Sequence, residues 1–396
     1  MVQQKLVSSE KTNEKEKICR DEPELRFPEF NNKWKIIKIE DNATIKGRIG
    51  WKNLKSEEYT DEGPYLIAGK HINNGIINWD ECDHITNERY LESPEIALKK
   101  GDIIFSKDGS LGNPALIKNL DFEATINGTM MLVRLNQNKI NPNYFYQVLN
   151  SDYFFRLLHL LKSGSSIPHI FQRDMVNFKF PTCSLDEQVK IATFLEKIDK
   201  KIELLEKKLV LYQQLEAEWR KILFKDIELN SKFFTVNEIF KVISSKRFQI
   251  KNSEIKDKGK IPVLTQGKDK AGYFDNAAKL CNIFPIILFG DHTTHLQYIN
   301  YPFIVAGDGI KLLQSRKENT NMKYLYYALK NYNISPEGYK RHYSILKEVE
   351  LPIPSNFNQE NIVLILNSLE NKINLLKDFN KEFKLLKKGL LQKMFI

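Results

Sequence analysis

The 396-residue chain contains few cysteines and no long apolar run. Its four cysteines, at positions 19, 82, 183 and 281, lie far apart and form no CxxC pair. Neither a disulfide framework nor a thiolate zinc site is therefore expected, and a reducing cytoplasm is the compartment that fits. The longest apolar stretch, residues 283–289, is interrupted by Pro285 and is far shorter than the roughly 20 residues that span a bilayer. We therefore expect no membrane partner.

A secretory signal and low-complexity sequence are also missing. Residues 1–23 are polar and of mixed charge, without the apolar core of a signal peptide, and are expected to form a mobile tail. With 42% hydrophobic residues and only 14 Pro and 18 Gly, the chain can fold, and its length favours two or three domains. The 60 Lys and Arg against 50 Asp and Glu give a net charge of +10, which favours a polyanionic partner.

The chain repeats itself. Residues 181–224 recur as residues 352–395 at a constant offset of 171. Upstream the offset is larger, reaching 180 at Tyr144/Tyr324 and 198 near residue 64. Deletions in surface loops of the second copy would shrink the offset in this way while leaving the framework elements intact. The repeat predicts a globular unit, a long helix, a second globular unit and a second long helix.

Both repeated C-terminal segments carry apolar residues in steps of four and three, which is the pattern of a heptad seam. Each pattern then takes an irregular step of three, to Leu215 in the first copy and Leu386 in the second. Helices of this length would be on the order of 60 Å long and each would need a partner, so we expect them to pair with each other. Asn380 is a polar seam residue that would disfavour slipped alignments. The predicted pairing residues are Ile191, Leu195, Ile198, Ile202, Leu205, Leu209, Tyr212, Ile362, Leu366, Leu369, Ile373, Leu376, Asn380 and Phe383.

The globular units show patterns of both strand and helix. Short apolar runs bounded by Gly, Pro, Asn and Asp predict strands, and longer aromatic-rich segments predict helices. The predicted strands include residues 103–105, 129–133, 286–289 and 303–305, and the predicted helices include residues 143–161 and 322–332.

No set of residues has the pattern of a catalytic site. Residues 141–144 differ by one residue from the Asn-Pro-Pro-Tyr loop of amino-methyltransferases, but no glycine-rich cofactor loop accompanies them, and a turn that starts a helix accounts for them. Gly267-Lys268 lacks the Ser or Thr of a phosphate-binding loop. His292 and His295 lack a third metal ligand, so a binding loop is the better interpretation. No metal site and no cofactor are therefore predicted for this chain.

Polar and basic loops end the predicted strands in both copies. Lys and Arg neutralise phosphates, while Arg, Asn, Gln and Asp can read base edges, so these residue types suit DNA. Corresponding loops differ in sequence between the copies, which predicts two different half-sites. The candidate DNA-binding residues are Lys46, Arg48, Lys70, His71, Asn73, Asn74, Lys107, Asp108, Ser110, Lys162, Ser165, Ser166 and His169 in the first copy, and Lys246, Arg247, Gln266, Lys268, Asp269, Lys270, His292, Thr293, Thr294, Lys340, Arg341, His342 and Tyr343 in the second.

Over nearly its whole length the chain resembles the DNA specificity subunit of type I restriction-modification systems. The resemblance rests on residues 23–34, on Gly69-Lys70, on residues 108–110, and on residues 180–188, which lead into the first of the duplicated helices. One departure is that the second helix begins with Asn358-Gln359-Glu360 where the first has Asp186-Glu187-Gln188.

The resemblance implies an α+β protein with an internal pseudo-two-fold repeat. Two mixed α/β target recognition domains would be joined by two long helices that form an antiparallel coiled coil. The expected boundaries are a tail at 1–23, recognition domain 1 at 24–181, spacer helix 1 at 182–229, recognition domain 2 at 230–354 and spacer helix 2 at 355–396.

The resemblance also implies function and partners. The two domains would read the halves of a split, asymmetric site in double-stranded DNA, and the helices would fix the spacing. Two modification subunits would dock on this chain and supply adenine methylation with S-adenosylmethionine. Restriction subunits would add ATP-driven translocation and DNA cleavage, with Mg²⁺ as a cofactor. The chain itself would carry no catalytic activity.

Two other functions remain open from the residues alone. A self-contained DNA methyltransferase or nuclease would need cofactor or metal motifs that are not found. A structural coiled-coil protein without a DNA role would show no salt-dependent binding to duplex DNA, whereas phosphate contacts require a steep salt dependence.

Overall fold

The computed structural model describes residues 22–48, 54–109, 111–163, 169–267, 270–317, 320–332, 334–336, 338 and 340–395. Residues 1–21 of the predicted tail lie outside this set. The chain divides into two compact units. Unit 1 comprises Met1–Leu205 and Phe379–Ile396, and unit 2 comprises Glu206–Asp378.

Unit 1 combines short strands with short helices. Its strands are β1 (Lys35–Lys38), β2 (Ala43–Gly47), β3 (Tyr59–Ile67), β4 (Ile72–Asn73), β5 (Ile76–Ile77), β6 (Asp83–Ile85), β7 (Ile103–Ser106), β8 (Gly112–Leu116), β9 (Ala124–Ile126), β10 (Met130–Leu135) and β11 (Lys179–Thr182). Its short helices are α1 (Asn87–Leu91), α2 (Pro142–Leu149), α3 (Asp152–Ser163) and α4 (Gln172–Val176).

Two sheets carry the core of unit 1. One has the order β2-β10-β7-β8, and the other has the order β6-β3-β9 with β3 and β9 parallel. All four residues of β7 are buried, as expected for a short Ile- and Phe-rich strand between two neighbours. The strands predicted at 103–105 and 129–133 are confirmed as β7 and, with a shift of one residue at its start, β10.

Unit 2 has a corresponding set of elements. Its strands are β12 (Lys232–Thr235), β13 (Phe240–Ile243), β14 (Gln249–Ile250), β15 (Ile261–Leu264), β16 (Gly272–Phe274), β17 (Ile286–Gly290), β18 (Leu296–Ile299), β19 (Ile304–Ala306), β20 (Ile310–Ser315) and β21 (Glu350–Ile353). Two long helices, α5 (Leu185–Glu228) and α9 (Asn356–Met394), each have residues in both units, and the short helices of unit 2 are α6 (Val236–Ile239), α7 (Met322–Asn331) and α8 (Tyr343–Leu346).

The topology of unit 2 repeats that of unit 1. The order β13-β20-β17-β18 corresponds to β2-β10-β7-β8, and the pair β12-β21 corresponds to β1-β11. The parallel pair β15-β19 corresponds to β3-β9. The internal duplication inferred from the sequence is therefore confirmed at the level of strand order.

The predicted helix at 143–161 is two helices, α2 and α3, separated at Asn150 and Ser151. The Asn150 side chain donates to the Tyr146 carbonyl at 2.8 Å, and the Ser151 hydroxyl donates to the Val148 carbonyl at 2.6 Å. Such bonds from short polar side chains compete with the backbone bonds of a helix. The aromatic periodicity continues through this break, which is why the sequence pattern missed it.

A small hydrogen-bond network, called here the helix anchor, holds the start of α5 against unit 1. The Tyr144 hydroxyl donates to the Pro181 carbonyl at 2.9 Å. The Gln188 side chain accepts from the Asn141 backbone N–H at 2.9 Å, and the Asn141 side chain caps α2 by accepting from the Tyr144 N–H. The end of β11, the start of α5 and the start of α2 are thereby fixed together.

Unit 2 contains the same helix anchor at the start of α9. The Tyr324 hydroxyl donates to the Pro352 carbonyl at 2.6 Å, and Gln359 accepts from the Asn321 N–H at 3.1 Å. Asn321 caps α7 as Asn141 caps α2. The repeated Pro-to-Gln segment of the sequence therefore has a structural role. It supplies two members of each anchor, Pro181 and Gln188 in unit 1 and Pro352 and Gln359 in unit 2.

Each anchor tyrosine also packs against an aromatic residue near the C-terminal end of a long helix, Phe224 within α5 and Phe395 directly after α9. In unit 1, Phe395 packs on Tyr144 with ring centroids 5.6 Å apart. In unit 2, Phe224 of α5 stacks on Tyr324, also at 5.6 Å. Burial raises the pKa of both tyrosines, so both hydroxyls remain hydrogen-bond donors.

Within unit 1 the two long helices run antiparallel. Asp199 of α5 pairs with Lys387 of α9 at 2.5 Å, and the Lys201 ammonium lies over the Phe383 ring.

The first predicted pairing residues of each long helix also pack in the hydrophobic cores of the domains. Ile191 and Leu195 lie in the core cluster of unit 1, and Ile362 and Leu366 lie in that of unit 2.

The remaining predicted pairing residues are buried or half-buried. The buried set is Ile198, Leu205, Ile373 and Leu376, and the half-buried set is Ile202, Leu209, Tyr212, Leu369, Asn380 and Phe383. Pairing of α5 with α9 as a coiled coil over their full length stays a prediction.

The predicted irregular step in the seam is wrong. Leu215 is 41% exposed and Leu386 is 51% exposed. The buried positions are the next residues, Glu216 at 5% exposure and the half-buried Lys387. Each helix therefore keeps a regular step of four at this point, and a charged residue takes the inward position. Hydrophobicity alone selected the wrong neighbour because each inward charge has a neutralising partner that is distant in sequence, Lys330 for Glu216 and Asp199 for Lys387.

The segment of residues 22–34, called here the strap, crosses the start of α5 in unit 1. Arg26 donates two hydrogen bonds to Glu187, at 2.8 and 2.9 Å, and the Trp34 indole N–H donates to the same carboxylate. Glu187 is fully buried. At the constant offset of 171, the counterpart of Glu187 is Asn358. The start of α9 therefore has an uncharged amide at the position where the start of α5 has the carboxylate that binds the strap.

We expect Gln188→Leu, and separately Gln359→Leu, to lower the free energy of unfolding by about 3 kcal/mol, because each leaves buried backbone groups without a hydrogen-bond partner. Chemical denaturation of the full chain measures this change. Gln214→Leu, at an exposed position of α5, is the matched control and should change stability by less than about 0.5 kcal/mol. Equal small changes in all three variants would contradict the role assigned to the anchors.

Candidate nucleic-acid interface

Polar loops of unit 2 meet where strands of its two four-stranded sheets, β13-β20-β17-β18 and β14-β19-β15-β16, end close together. They follow β15 and β17, connect β19 to β20, and precede α8. This group, called here the unit 2 loop cluster, consists of residues 265–267, 290–295, 307–309 and 340–343. The cluster lies on loops held by a rigid sheet, which is the usual placement of binding residues.

Gln266 joins three of these loops. Its side-chain oxygen accepts from the His292 N–H at 3.1 Å, and its side-chain amide donates to the Asp308 carbonyl at 3.2 Å. Its own carbonyl accepts from the Thr293 hydroxyl at 2.6 Å. Gln266 therefore orients its neighbours, and its remaining hydrogen-bonding capacity is limited.

Asp291 is the second organising residue of the unit 2 loop cluster. It is 2% exposed, and its carboxylate accepts from the Tyr343 N–H at 2.7 Å with the Lys311 ammonium 3.8 Å away. Its backbone N–H donates to the Gly309 carbonyl, and its carbonyl accepts from the His342 N–H. Through its backbone and its buried carboxylate, Asp291 thus connects the end of β17, the loop before β20 and the start of α8.

Two glycines allow the loops of the unit 2 loop cluster to lie close to one another. A Cβ added at Gly290 would lie 2.8 Å from the Gln266 Cβ and 2.9 Å from the Gln266 carbonyl oxygen. Gly309 has a φ of +73° and lies against His292. Thr294, a β-branched residue, has a φ of +55°, a strained conformation of the kind found at functional loops.

Unit 1 brings the corresponding loops together with the same backbone bonds. Lys107 follows β7 as Asp291 follows β17. Its N–H donates to the Thr129 carbonyl at 2.9 Å, and its carbonyl accepts from the Ile170 N–H at 3.0 Å. The group called here the unit 1 loop cluster therefore consists of residues 69–74, 106–109, 127–129 and 169–171. The two clusters share a scaffold although their side chains differ.

Different side chains fill the unit 1 loop cluster. Asp108 pairs with His169, and Lys70 pairs with Asp83 at 3.1 Å. The aromatic ring of Phe171 packs against His169. The counterparts in unit 2 are a glutamine network and a buried aspartate, so the two clusters present different hydrogen-bonding groups on one architecture.

The structure leaves many of the predicted DNA-binding side chains accessible. Those that are exposed are Lys46, Lys70, Asn73, Asn74, Lys246, Arg247, Lys270, Thr293, Lys340 and Arg341, and those that are half-buried are Lys107, Asp108, His169, Gln266, His292 and Tyr343. Ser110, Ser165, Ser166, Lys268, Asp269 and the side chain of Lys162 lie outside the described residues.

Four predicted contact residues are buried in the structure: Arg48, His71, Thr294 and His342. Each has a polar atom that bonds within the protein, and their direct contact with DNA stays a prediction. Arg48 donates to the Ile126 carbonyl, and His71 accepts from the Ala68 N–H. Burial lowers the pKa of His71, so its ring is neutral near pH 7. The sequence pattern could not separate such residues, because the buried and the exposed side chains of these loops are of the same polar types.

The sequence reasoning missed Asp308 and Lys311 as members of the unit 2 loop cluster. Asp308-Gly309 is a turn signal in the loop before β20, and its counterpart in the first copy is Asn127-Gly128. Neither turn was among the candidate contacts, although both lie next to predicted strands. Lys311 gave no such signal, because it lies within β20 and only its partner Asp291 reveals its role.

Within the part of the chain that the structure describes, no group of three or more His, Cys, Asp or Glu side chains is arranged to hold a metal ion. Across the same residues, no helix has both the length and the hydrophobicity needed to cross a bilayer.

The family model of the type I restriction modification DNA specificity domain matches the chain twice, at residues 31–214 and 228–385. The chain is also similar to the specificity subunit of the type I restriction enzyme MjaVIII of Methanocaldococcus jannaschii, with 25% identity over 199 residues, which is 49% of this chain and 45% of that protein. It is 26% identical over 187 residues to the EcoAI specificity subunit of Escherichia coli, covering 46% of this chain and 30% of that subunit. The chain thus spans less than half the length of these two relatives.

Among solved structures, the S subunit of a type I restriction-modification system from M. genitalium has a similar fold. The TM-score is 0.65 and the identity 20%, with 95% of this chain and 99% of that chain covered. The arrangement of two repeated units with two long helices is therefore a known fold.

We expect the double variant Lys340→Gln/Arg341→Gln to bind duplex DNA more weakly, because both side chains are exposed beside the unit 2 loop cluster. The slope of log affinity against log salt should become shallower by about 2 if both contact phosphates. Fluorescence anisotropy with a labelled random-sequence duplex over a salt series measures this slope. Lys221→Gln/Lys225→Gln, with the same charge change on exposed positions of α5, is the control and should leave the slope unchanged. Equal slopes for both double variants would contradict the assignment.

Proposed function

Because the chain belongs to the family of type I restriction-modification DNA specificity domains, we propose that it is the DNA-recognition subunit of such a complex and that its two units read the two halves of a split, asymmetric site. The observation that carries this proposal is the pair of loop clusters. They are built on the same strands and the same backbone hydrogen bonds, yet they present different side chains.

The chemistry of the exposed residues supports DNA as the ligand. Lys70, Lys340 and Arg341 can neutralise phosphates, while Asn73 and Asn74 carry amides that can pair with base edges. Phosphate contacts position a protein on the duplex, and base contacts specify the sequence. The supporting network of buried residues keeps these side chains on fixed loops, so that little ordering is needed on binding.

The long helices support a role in setting the distance between half-sites. Helices α5 and α9 are each continuous from residues of one unit to residues of the other. A continuous helix is stiffer than a loop, and symmetric DNA-binding dimers likewise fix the spacing of their half-sites by geometry. The anchors at Gln188 and Gln359 hold the starts of these helices to the domains.

Exposed apolar residues on the long helices support docking of two partner subunits. In unit 2, α5 presents Leu211, Leu215, Trp219 and Ile222, and in unit 1, α9 presents Phe379, Leu385 and Leu386. Leu215 and Leu386 occupy equivalent positions in the duplication, and both are exposed. Exposed apolar patches of this kind mark protein interfaces, so we assign one to each of two modification subunits.

The chemistry of modification and cleavage is assigned to those partners. Modification subunits would bring S-adenosylmethionine, and restriction subunits would bring ATP and Mg²⁺. The chain would act in the cytoplasm as the non-catalytic component that chooses the DNA sequence.

Sequencing of modified adenines in DNA from cells expressing this chain tests the proposal. With its candidate modification subunit present, a split and asymmetric methylated motif is expected, and neither protein alone should produce it. Methylation by this chain alone would favour a self-contained methyltransferase. A stable complex that leaves DNA unmethylated and unbound would favour the structural coiled-coil alternative.

We expect removal of one heptad from the middle of each long helix, residues 206–212 and 374–380, to shorten the preferred spacing between half-sites. Seven residues correspond to about 10 Å of helix, or about three base pairs of duplex. The same sequencing experiment measures the spacing, and co-purification with the modification subunit shows that the complex assembles. An assembled complex with unchanged spacing would contradict the proposed role of the helices.

A further inference from the structure

The two places where a recognition domain packs on the long helices carry different charges at equivalent positions. In unit 1, Asp199 of α5 pairs with Lys387 of α9 at 2.5 Å, and Gln147 of α2 donates to the same carboxylate at 2.8 Å. An acid and a base on the two helices therefore neutralise each other, and helix α2 contributes only an uncharged amide.

The corresponding helix positions in unit 2 are both acidic. An offset of 171 relates Asp199 to Glu370 and relates Lys387 to Glu216. Glu216 is 5% exposed and Glu370 is half-buried. Two carboxylates thus occupy the place where unit 1 has a carboxylate and an ammonium, and they cannot neutralise each other.

Helix α7 of unit 2 supplies the missing positive charge. Lys323 pairs with Glu370 at 2.6 Å, and Lys330 pairs with Glu216 at 3.0 Å. The two lysines are seven residues apart, so both lie on the face of α7 that meets the long helices. The Tyr327 hydroxyl also donates to Glu370, and Arg220 donates to Glu216.

The equivalent positions in unit 1, one within α2 and one directly after it, are uncharged. The offset of 180, fixed by the matching anchors at Tyr144 and Tyr324, relates Lys323 to Asn143 and Lys330 to Asn150. The two differences between the units therefore compensate each other. Where the long helices of unit 2 carry an additional negative charge, helix α7 carries positive charges that unit 1 lacks.

Electrostatics at the unit 2 junction agrees with this geometry. Burial opposes ionisation of Glu370, yet the hydrogen bonds from Lys323 and Tyr327 and the charge of Lys330 hold its pKa below the usual value. A buried carboxylate that lost its cation would carry an uncompensated charge, which is strongly unfavourable.

We propose that these residues match each recognition domain to its own end of the long helices. The unit 1 charge set is Asn143, Asn150, Asp199 and Lys387, with Leu391 at the position equivalent to Arg220. The unit 2 charge set is Lys323, Lys330, Arg220, Glu216 and Glu370. The acidic helix surface of unit 2 accepts a domain whose packing helix carries two lysines. The ion pair of Asp199 and Lys387 in unit 1 has no net charge, and it accepts a domain that carries no lysine at these two positions. This matching does not depend on the DNA sequence that the loops recognise.

An exchange of the two domains would therefore create a charge mismatch at both places. The unit 1 domain would leave Glu216 and Glu370 without their two lysines. The unit 2 domain would place two further cations beside Lys387, with Asp199 as the one carboxylate of that charge set. The duplicated framework permits either arrangement, and the charge sets favour one.

A cycle of variants in the full chain tests the unit 2 charge set. The domain-side variant is Lys323→Asn/Lys330→Asn, and the helix-side variant is Glu216→Lys/Arg220→Leu, which introduces the residues found at the equivalent positions of unit 1. Each variant is expected to lower the Tm by at least about 4 °C, and their combination is expected to recover to within about 2 °C of the wild type. Differential scanning calorimetry measures the Tm.

A matched cycle at an exposed ion pair of the same helix is the control. Lys221 and Glu218 pair at 2.8 Å with about two-thirds of each side chain exposed. Lys221→Asn and Glu218→Lys should each change the Tm by less than about 1 °C, and their effects should add. A domain-side variant as stable as the wild type, or a combined unit 2 variant with the summed loss of its two parts, would overturn the proposal.

The reciprocal change in unit 1 keeps the test decisive if a unit 2 variant does not fold. Asn143→Lys/Asn150→Lys should lower the Tm because it adds cations beside Lys387. Adding Lys387→Glu to that variant should raise the Tm again, because it reproduces the charges of unit 2. A further decrease on adding Lys387→Glu would show that the charges are not matched as sets and would overturn the proposal.

Discussion

The buried hydrogen bonds that tie each long helix to its domain are the constraint on which the rest of the structure depends. A tyrosine hydroxyl bonds to a proline carbonyl, and a glutamine on the long helix bonds to the backbone of the asparagine that caps the domain helix. Such bonds form in one geometry, and leaving a buried partner unpaired is costly. They therefore fix the direction in which each long helix leaves its domain.

That constraint separates the parts of the molecule that must stay constant from those that can vary. The anchors and the strand order recur in both units, whereas the loops at the end of the four-stranded sheets differ. The backbone hydrogen bonds made by Lys107 and Asp291 hold equivalent loops in equivalent positions. These bonds do not depend on which side chains the loops carry. New recognition residues can then appear on the loops without disturbing the helices, which is what the proposed reading of two different half-sites would require.

Much of the fold could be predicted from the sequence, and the errors have a common cause. The duplication, the long helices and the strands at 103–105 and 286–289 follow from local patterns. The inward positions Glu216 and Lys387 were missed because each has a neutralising partner far away in sequence, Lys330 and Asp199 respectively. The same cause explains Arg48, His71, Thr294 and His342, whose burial depends on loops from other parts of the chain.

By itself the sequence determined the repeat, the order of domains and helices, the basic character and the residue types suited to DNA, because composition and periodicity are properties of the chain. The tertiary structure alone decided which polar side chains support the loops and which remain exposed. It also decided that equivalent junctions are neutralised in different ways, by Asp199 with Lys387 in unit 1 and by two lysines of α7 in unit 2. These outcomes depend on distances between residues far apart in sequence, and a pattern along one chain carries no information on such distances.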